Sequence, residues 1–458
     1  MVNAPTAVTL PDPPGPSGVP LIGMMPRFLR NPLRVINQTW REYGDIVRYR
    51  YLLEFWGYMI FRPEHVKRVL QDNNHNYPKA PRQMTRFSEV MGNGLFTSGG
   101  DEWLLQRRTM QPAFHRQGIQ GFATIMTSET ESLVERWGPL AQSHQPFDIM
   151  PETRRLVMKI VARSLFGAEL GAEVDEIGRS MPILLEWTNR RLYYPIDPIG
   201  DLPLPPRRAF ESHLAIIERH VMHFIADRRA STEHRPDLLT MLLEARDPET
   251  GRGLTDTELR DQVMTIFLAG TDTTVNLLGW TWYLLSKHPE CARQLQAELA
   301  TVLAGRRPTA DDVPRLRYTS MVLDEVLRLY PPAWATTRMA TGDDETGGYR
   351  IRAGESILMS QWITHRHPEF WENPEGFDPE RFSPERSAGR PRFAYFPFGG
   401  GPRQCIGNTF ALMEAQLVVA TVLQRFHVDL VPGATVRPKP VIGLRPDPGV
   451  MVRLRAIR

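Results

Sequence analysis

One cysteine in this chain stands in a glycine-rich loop immediately before a predicted helix. The loop reads Phe398-Gly-Gly-Gly-Pro-Arg-Gln-Cys405-Ile-Gly407, and the helix is predicted to begin at Asn408. Cysteine binds metals as the thiolate, and the positive end of a helix favours that form without a side-chain cation. Glycines let the main chain pass close to a flat ligand, and Phe398 can shield the sulfur from water. The pattern therefore predicts that Cys405 is a metal ligand.

The alternative for Cys405 is a buried, unreactive cysteine in a tight turn. The other cysteine, Cys291, lies in a stretch that is predicted to be helical, and we expect it to be inert packing. A disulfide between the two would consume the proposed ligand, and two cysteines cannot staple an extracellular framework of this length. The cysteine content therefore indicates a reducing compartment, the cytoplasm.

The longest helix is predicted between residues 255 and 286. Thr255-Asp-Thr-Glu258 is a capping box, and the apolar pattern then continues towards Pro289. About thirty residues make a rod of roughly 45 Å, long enough to cross a domain. Its middle reads Ala269-Gly-Thr-Asp-Thr-Thr274, which combines glycine with polar residues that are poor in helix interiors. Residues that disfavour a helix in the middle of a long predicted helix indicate a functional segment. The alternative is a kink in the helix with polar residues and no further role.

The loop around Cys405 resembles the haem-binding signature of the cytochrome P-450 superfamily. Phe398, Gly401, Arg403 and Gly407 occupy its other characteristic positions, and three more motifs follow the superfamily's order across most of the chain. The resemblance implies that Cys405 is the proximal ligand of the iron in haem b. It also implies that Phe398, Arg403 and Gly407 lie beside the cofactor.

The resemblance implies a mainly α fold with minor β. We expect a single large domain over residues 1–458, with a proline-rich lead at 1–25, a long central helix over the haem and a small β-rich region. The local patterns agree: they predict a helix at 32–43, a hairpin at 46–51 and 58–61, an almost wholly helical stretch at 101–330, and strands at 349–352, 355–360 and 450–454.

In the superfamily, the polar box of the long helix covers the distal face of the haem. The resemblance implies that Ala269 and Gly270 adjoin the cofactor and that Gly270 opens the helix so that dioxygen can bind. Asp272 and Thr273 match the acid–alcohol pair that delivers protons to bound oxygen. Consecutive helical residues point about 100° apart, so these two side chains are expected to have different tasks.

Two further motifs imply structural and cofactor-binding charges. Glu325 and Arg328 share a helix face, and Arg381 lies in a downstream segment that joins them in the superfamily. The resemblance therefore implies a buried triad that holds the haem loop. Trp103 and Arg107, one helical turn apart, match the residues that meet a haem propionate. Arg338 and Arg403 are implied for the same task, because arginine binds carboxylates bidentately; surface charges are the alternative.

The resemblance implies a haem-thiolate monooxygenase that inserts one oxygen atom from dioxygen into a C–H or C=C bond. NAD(P)H is the expected electron source, acting through a separate ferredoxin or flavodoxin-like donor with its reductase. A donor of this kind is acidic and is expected to dock near Arg390, Arg392 and Arg403. A peroxide-using peroxygenase and a non-catalytic haem binding or sensing protein are the alternatives.

The substrate is expected to be a lipophilic small molecule, such as a terpenoid, fatty acyl chain or polyketide-like compound. This expectation rests on mostly apolar segments that the resemblance assigns to the pocket wall: Arg82–Gly99, Tyr193–Pro206, Ile266, Phe267, Trp334–Thr337 and the turn near Leu444.

No run of ~20 apolar residues and no signal peptide precede the proline-rich lead, so we expect a soluble, monomeric, cytoplasmic protein of bacterial type. A shortened eukaryotic chain would look similar. The net charge of +3 does not suggest a nucleic-acid partner.

Overall fold

The computed structural model describes residues 10–194, 200, 202–231, 235, 237–246 and 251–457, except for the side chains of residues 116 and 117. Part of the predicted proline-rich lead and part of the predicted wall between Tyr193 and Pro206 lie outside the described residues. The chain divides into two compact units. Unit 1 comprises Met1–Pro81, Trp334–Pro374 and Arg390–Gln404, and unit 2 comprises Arg82–Ala333, Glu375–Gly389 and Cys405–Arg458. The single domain expected over residues 1–458 stays a prediction.

The α-helices follow one another along the chain as α1 Met25–Arg30, α2 Pro32–Tyr43, α3 Pro63–Lys67, α4 Pro81–Met91, α5 Gly100–Met110, α6 Arg116–Gln120, α7 Ala123–Ser143, α8 Ile149–Phe166, α9 Glu173–Tyr193, α10 Pro205–Ala230, α11 Leu238–Glu244, α12 Asp256–Lys287, α13 Pro289–Leu303, α14 Arg317–Leu329, α15 Gln361–Thr364, α16 Pro384–Ser387 and α17 Asn408–Leu423. The strands are β1 Ile46–Leu52, β2 Phe55–Ile60, β3 Phe147–Asp148, β4 Thr336–Met339, β5 Asp344–Thr346, β6 Tyr349–Ile351, β7 Ser356–Met359, β8 Phe426–Leu430, β9 Arg437–Pro440, β10 Leu444–Asp447 and β11 Met451–Ala456.

Unit 1 is built on a four-stranded sheet in the order β1-β2-β7-β4, with β5 and β6 as a separate pair. Strands β1 and β2 form an antiparallel hairpin, and β2 pairs with β7 in parallel. Tyr58, Ile60, Ile357 and Phe393 belong to its buried apolar core. Helix α2 begins where the Asn31 side chain accepts a hydrogen bond from the Arg34 N–H, so a cap fixes the start of the helix.

Unit 2 is mainly helical, and α12 is its longest element. The predicted capping box is present: Thr255 and Glu258 satisfy each other's backbone N–H groups at the start of α12. Helix α12 packs against α8, α14 and α17, which hold it in the interior of the unit. Two small sheets, β3-β11-β8 and β9-β10, complete unit 2.

The mainly α fold class with minor β is confirmed. The predicted helix at 32–43 is α2, the predicted hairpin is formed by β1 and β2, and the later predicted strands correspond to β6, β7 and β11. Strands β3, β4, β5, β8, β9 and β10 were not predicted. Within the residues that the structure describes, no helix is both long and apolar enough to cross a bilayer.

Candidate active site

Cys405 lies in unit 2, just before α17 begins at Asn408. Gly407 is the residue that precedes the first turn, so the cysteine follows the predicted loop-to-helix arrangement. Cys405 is exposed, whereas Cys291 is buried, and burial raises the pKa of the Cys291 thiol. An exposed thiol at the start of a helix is placed to bind a ligand as the thiolate.

The glycine loop before Cys405 belongs to unit 1, and packing requires two of its glycines. Gly401 has a φ of +65°, and a Cβ there would lie 1.8 Å from the Leu70 carbonyl oxygen. A Cβ at Gly400 would lie 2.3 Å from the Phe393 ring. These contacts give the loop a structural reason for glycine in addition to the expected approach to a flat ligand. Any larger residue would displace the segment that leads to the cysteine.

In unit 2, α5 carries Trp103 and Arg107 one turn apart, and both side chains are half-buried. Partial burial lowers the pKa of Arg107, while the charge of the Cys405 thiolate opposes that change. The guanidinium group is therefore close enough to the sulfur to feel its charge. Arg108, which we expected to face solvent, is exposed.

The polar box interrupts the otherwise buried middle of α12. Thr273 is exposed and Ala269 and Gly270 are half-buried, whereas Thr271 and Thr274 are buried. The Thr273 hydroxyl donates to the Ala269 carbonyl at 2.8 Å.

Helix α12 stays helical through Gly270, and the expected opening there for dioxygen stays a prediction. The carbonyl groups of the box accept hydrogen bonds from threonine hydroxyls that lie one helical turn further along the chain. The Thr274 hydroxyl, for example, donates to the Gly270 carbonyl at 3.0 Å. Phe267, an expected residue of the pocket wall, faces the interior of unit 2. Its ring is 1% exposed and packs against Phe166, with 6.4 Å between the ring centroids.

Asp272 points away from Thr273 into a polar cluster of unit 2. One carboxylate oxygen lies 3.4 Å from the Arg154 guanidinium of α8, and the other accepts a hydrogen bond from the Asn276 amide at 3.0 Å. A Cβ at Gly443 would lie 2.8 Å from that amide and 3.0 Å from the carboxylate. The acid is therefore held from three sides. The sequence analysis did not identify Arg154 or Gly443 as neighbours of Asp272. Only Asn276 could have been found from the sequence, because it lies one helical turn after Asp272.

The structure brings Glu325, Arg328 and Arg381 together inside unit 2. Glu325 is paired with Arg328 at 2.6 Å and with Arg381 at 3.2 Å, and the three side chains are 0%, 0% and 3% exposed. Glu325 also accepts a hydrogen bond from the Asp378 N–H at 2.8 Å, and Arg328 donates to the Gly376 carbonyl at 2.9 Å. The charges fix the segment 376–381 to α14.

Unit 1 contains the two other predicted arginines. Arg338 on β4 is 8% exposed, and its guanidinium donates to the Thr337 carbonyl at 2.9 Å. Among the described residues no carboxylate pairs with it, and burial lowers the pKa of Arg338 to about 10. Arg403 and Phe398 are half-buried in the glycine loop. Arg338 is thus a buried cation in need of an anion.

The family model described as cytochrome P450 matches residues 13–452 of this chain. The chain belongs to the cytochrome P450 family. Among curated relatives, cyclooctatin synthase of Streptomyces melanosporofaciens is 37% identical over 95% of this chain and 94% of its own length. Cyclooctat-9-en-7-ol 5-monooxygenase of the same organism is 36% identical, covering 92% of this chain and 90% of that protein. Pentalenene oxygenase of Streptomyces avermitilis is 34% identical, covering 92% of both chains.

A solved structure titled cytochrome P450DA heme domain agrees with this P450 over its whole length. The TM-score is 0.88 with 28% sequence identity, and the match covers 98% of this chain and 99% of that one. The chain is therefore a P450 monooxygenase, and the family's prosthetic group is haem.

The residues of this P450 fit a haem. Cys405 offers a thiolate at the start of α17, and Arg107 is close enough to it for their charges to interact. The buried, unpaired guanidinium of Arg338 suits a carboxylate such as a haem propionate, since burying a lone cation is costly without an anionic partner. Taken by itself, unit 2 offers a thiolate for an iron, and unit 1 offers a buried cation for a carboxylate.

Helix α12 also holds the loop between α4 and α5, a role that sequence reasoning missed. The Asp261 carboxylate accepts a hydrogen bond from the Asn93 N–H at 2.7 Å, and the Gln262 amide oxygen accepts one from the Leu95 N–H at 3.0 Å. Gly94 passes so close that a Cβ would lie 2.2 Å from the Thr265 hydroxyl. The predicted pocket wall at 82–99 is thus fixed to the helix that carries Thr273.

Glu414 is a second feature of this P450 that the sequence did not reveal. It lies on α17, is 0% exposed, and neither carboxyl oxygen has a hydrogen-bond partner among the described residues. Burial raises the pKa of Glu414 well above its ordinary value. Burial without a partner therefore favours the neutral form of this carboxyl group.

We expect Glu414→Gln to stabilise the protein more at pH 8 than at pH 5. With a raised folded-state pKa, the wild-type contribution is complete below the unfolded-state pKa and is lost as pH rises, because folding must then take up a proton. The difference in unfolding free energy between the two proteins should widen by at most about 1.4 kcal/mol per pH unit. Urea unfolding of both proteins at the two pH values measures it, with the exposed Glu385→Gln as the control. An equal difference at both pH values would show that the Glu414 carboxyl is ionised.

Proposed function

We propose that this P450 hydroxylates a terpenoid, with electrons delivered singly by a separate redox protein. The observation that carries the substrate class is the similarity, over at least nine-tenths of both chains, to enzymes named for pentalenene and cyclooctat-9-en-7-ol. When bound, haem with a cysteine thiolate ligand supplies the activation of dioxygen. The family supports the monooxygenase over the non-catalytic haem-binding alternative.

The test is a titration of the purified ferric protein with terpene hydrocarbons and their mono-alcohols. We expect a low-spin to high-spin shift with a subset of these compounds, followed by hydroxylated product when a surrogate reductase and ferredoxin are added. Fatty acids of similar size serve as the comparison. A spin shift and product with fatty acids, and none with terpenoids, would overturn the proposed substrate class.

Thr273 and Asp272 are proposed to divide the handling of protons. The exposed Thr273 hydroxyl can leave the Ala269 carbonyl and hold a water molecule or a small ligand by a hydrogen bond. Asp272 is held by Arg154 and Asn276, so its carboxylate can exchange a proton only from a fixed position. A positioned acid of this kind typically contributes roughly 10²–10⁴-fold to a rate.

We expect Thr273→Ala to take up electrons at nearly the normal rate while diverting oxygen to hydrogen peroxide, because the hydroxyl that holds the proton donor is lost. Asp272→Asn should instead slow the whole cycle, by about 10²-fold. The measurements are NAD(P)H oxidation, product and peroxide for each variant.

Thr271→Ala is the matched control, since Thr271 makes the same backbone hydrogen bond from a buried position. Full coupling in Thr273→Ala would place the proton path elsewhere. Product formation from hydrogen peroxide alone, at the rate seen with the redox chain, would instead favour the peroxygenase alternative.

The electron donor is proposed to be an acidic ferredoxin or flavodoxin that docks on a basic segment of unit 1. Arg392 is exposed, and Arg390 stacks on the Trp371 ring, with its guanidinium 4.1 Å from the ring centroid. Together with Arg403, these residues lie within the fifteen positions that precede Cys405 in the sequence. Opposite charges steer association and are screened over about 8 Å at physiological ionic strength.

We therefore expect the rate of reduction by an acidic ferredoxin to fall as salt rises, and Arg392→Gln to flatten that dependence. Stopped-flow reduction at several salt concentrations measures both. Arg315→Gln, an exposed arginine in unit 2, is the control. Rates that do not depend on salt would rule out an electrostatic docking step.

A further inference from the structure

Arg260 lies between two carboxylates that belong to different helices of unit 2. One guanidinium nitrogen pairs with Glu218 of α10, and another lies 2.5 Å from an oxygen of Asp261, its neighbour on α12. Arg260 and Glu218 are half-buried, and Asp261 is 6% exposed. A cation in this position compensates a buried acid and ties α10 to the first turns of α12.

The two oxygens of Asp261 have different partners. Oδ1 accepts a hydrogen bond from Arg260, and Oδ2 accepts one at 2.7 Å from the Asn93 N–H, in the loop between α4 and α5. Gly92 approaches the same carboxylate so closely that a Cβ at this position would overlap with it. The loop is therefore held by a charged and oriented acceptor, and such hydrogen bonds are roughly twice as strong as neutral ones.

Asn93 is bonded on its other sides to α5. Its side-chain amide donates to the Glu102 carboxylate at 2.6 Å, and its carbonyl accepts from the Gln106 amide at 3.0 Å. Polar contacts therefore run from α10 through α12 and the loop to α5. We call four of these residues the loop clamp: Glu218, Arg260, Asp261 and Asn93.

The loop clamp fixes a segment with apolar side chains. Leu95 is buried, and Phe96 is half-buried, with its ring edge-on to Phe87 of α4 and 5.0 Å between the centroids. The N–H groups of residues 93 and 95 bond to side chains of α12 instead of to a strand or a helix. The position of Phe96, in the stretch expected to form part of the pocket wall, therefore depends on those side chains.

We propose that Arg260 is a positioning residue for substrate binding: it keeps the Asp261 carboxylate paired and directed at Asn93, and so holds the loop in its ligand-binding conformation. Without the cation, Asp261 would face the Glu218 carboxylate, and like charges at short range repel each other. The bond from Asp261 to the loop would then weaken. A loop that must be ordered when a ligand binds lowers affinity. The effect on terpenoid affinity rests on the proposed function, whereas the effect on the loop does not.

Hydrogen–deuterium exchange of the haem-loaded full chain measures the loop directly. In Arg260→Gln we expect the amides of Asn93 and Leu95 to exchange about tenfold faster than in the wild type, with the rest of unit 2 unchanged. Arg260→Lys should restore much of the protection, because it keeps a cation between the two acids. Glu218→Gln should accelerate exchange by about threefold, and the double variant should match Arg260→Gln alone, because both changes break one connection.

Arg229→Gln is the matched control. Arg229 also joins α10 to α12, through an ion pair with Asp256 at 2.7 Å, but both residues are exposed and the pair does not include Asp261. We expect loop exchange and ligand affinity in this variant to match the wild type. The same loosening in Arg229→Gln would show that any contact between these two helices has this effect, and the role assigned to Arg260 would be wrong.

Ligand affinity gives a second readout. The imidazole nitrogen of phenylimidazole binds haem iron directly, and we expect its dissociation constant to rise about tenfold in Arg260→Gln, because the loop must be ordered on binding. For a terpenoid that shifts the spin state of the wild type, KM should rise by a similar factor while kcat stays within about twofold, since the proton-handling residues are unchanged. Arg260→Lys should restore both affinities.

Two further results would overturn the proposal. Unchanged exchange at residues 91–98 in Arg260→Gln would show that the loop does not depend on the cation. Faster exchange throughout unit 2, with a lower unfolding midpoint and unchanged ligand affinity, would assign Arg260 to the stability of the fold alone. If no terpenoid shifted the spin state of the wild type, the proposed function would fail instead, and the exchange and phenylimidazole measurements would still decide the role of Arg260.

Discussion

Replacing Cys405 with serine should abolish the red-shifted Soret band that a thiolate-ligated haem gives after reduction and carbon monoxide binding. Cys405 is the exposed cysteine at the start of α17, and Arg107 is within reach of its charge. A serine hydroxyl does not ionise near neutral pH and donates far less electron density to iron. We expect monooxygenase activity to fall below detection, with the absorbance spectrum as the direct readout.

Cys291→Ser is the matched control. Cys291 is buried on α13, and burial raises the pKa of its thiol, so it should contribute nothing to the spectrum. The band should survive in this variant at wild-type intensity. If Cys405→Ser retained the band and Cys291→Ser lost it, the assignment of the ligand would be reversed.

Replacing Glu325 with glutamine should yield protein that purifies without haem or aggregates. The carboxylate pairs with both Arg328 and Arg381, and all three side chains are buried. Removing one member of a buried charged set leaves the others uncompensated and costs about 3–5 kcal/mol. That is a large part of the ~5–15 kcal/mol that stabilises a typical protein. Haem content and the urea unfolding midpoint measure the effect.

Glu380→Gln is a suitable control because Glu380 lies in the same segment as Arg381, and its carboxylate makes an exposed hydrogen bond to Gln294. We expect it to change the midpoint little, since exposed polar contacts contribute little to stability. A Glu325→Gln protein with full haem and an unchanged midpoint would show that the triad is dispensable.

Local patterns predicted the elements that local interactions define. Helix α2 has Asn31 as its cap and Pro32 at its first position, and α12 has the capping box at Thr255, so both starts could be recognised. Strands β9 and β10 were missed because prolines interrupt them. Pro438 and Pro446 face each other across this pair, and prolines normally argue against a strand.

In the candidate site too, residues in local motifs could be predicted, whereas contacts between residues far apart in the sequence could not. Cys405, Thr273 and the triad stand in ordered motifs, so their positions could be read from the sequence. The partners of Asp272 could not: Arg154 is 118 positions away on α8, and its approach depends on how two helices pack. The need for glycine at position 401 could not be predicted either, because it depends on the nearby carbonyl group of Leu70, which is far away in the sequence.

The threonines of α12 have a consequence for how that helix can move. The carbonyls of Ala269 and Gly270 accept hydrogen bonds from threonine hydroxyls one turn later. A hydroxyl of this kind acts as a reserve donor: if the helix widens and a backbone N–H withdraws, the carbonyl keeps a partner. Opening at Gly270 would then exchange hydrogen bonds instead of losing them. A closed helix and a helix widened at Gly270 would therefore differ little in the number of hydrogen bonds that these two carbonyls accept.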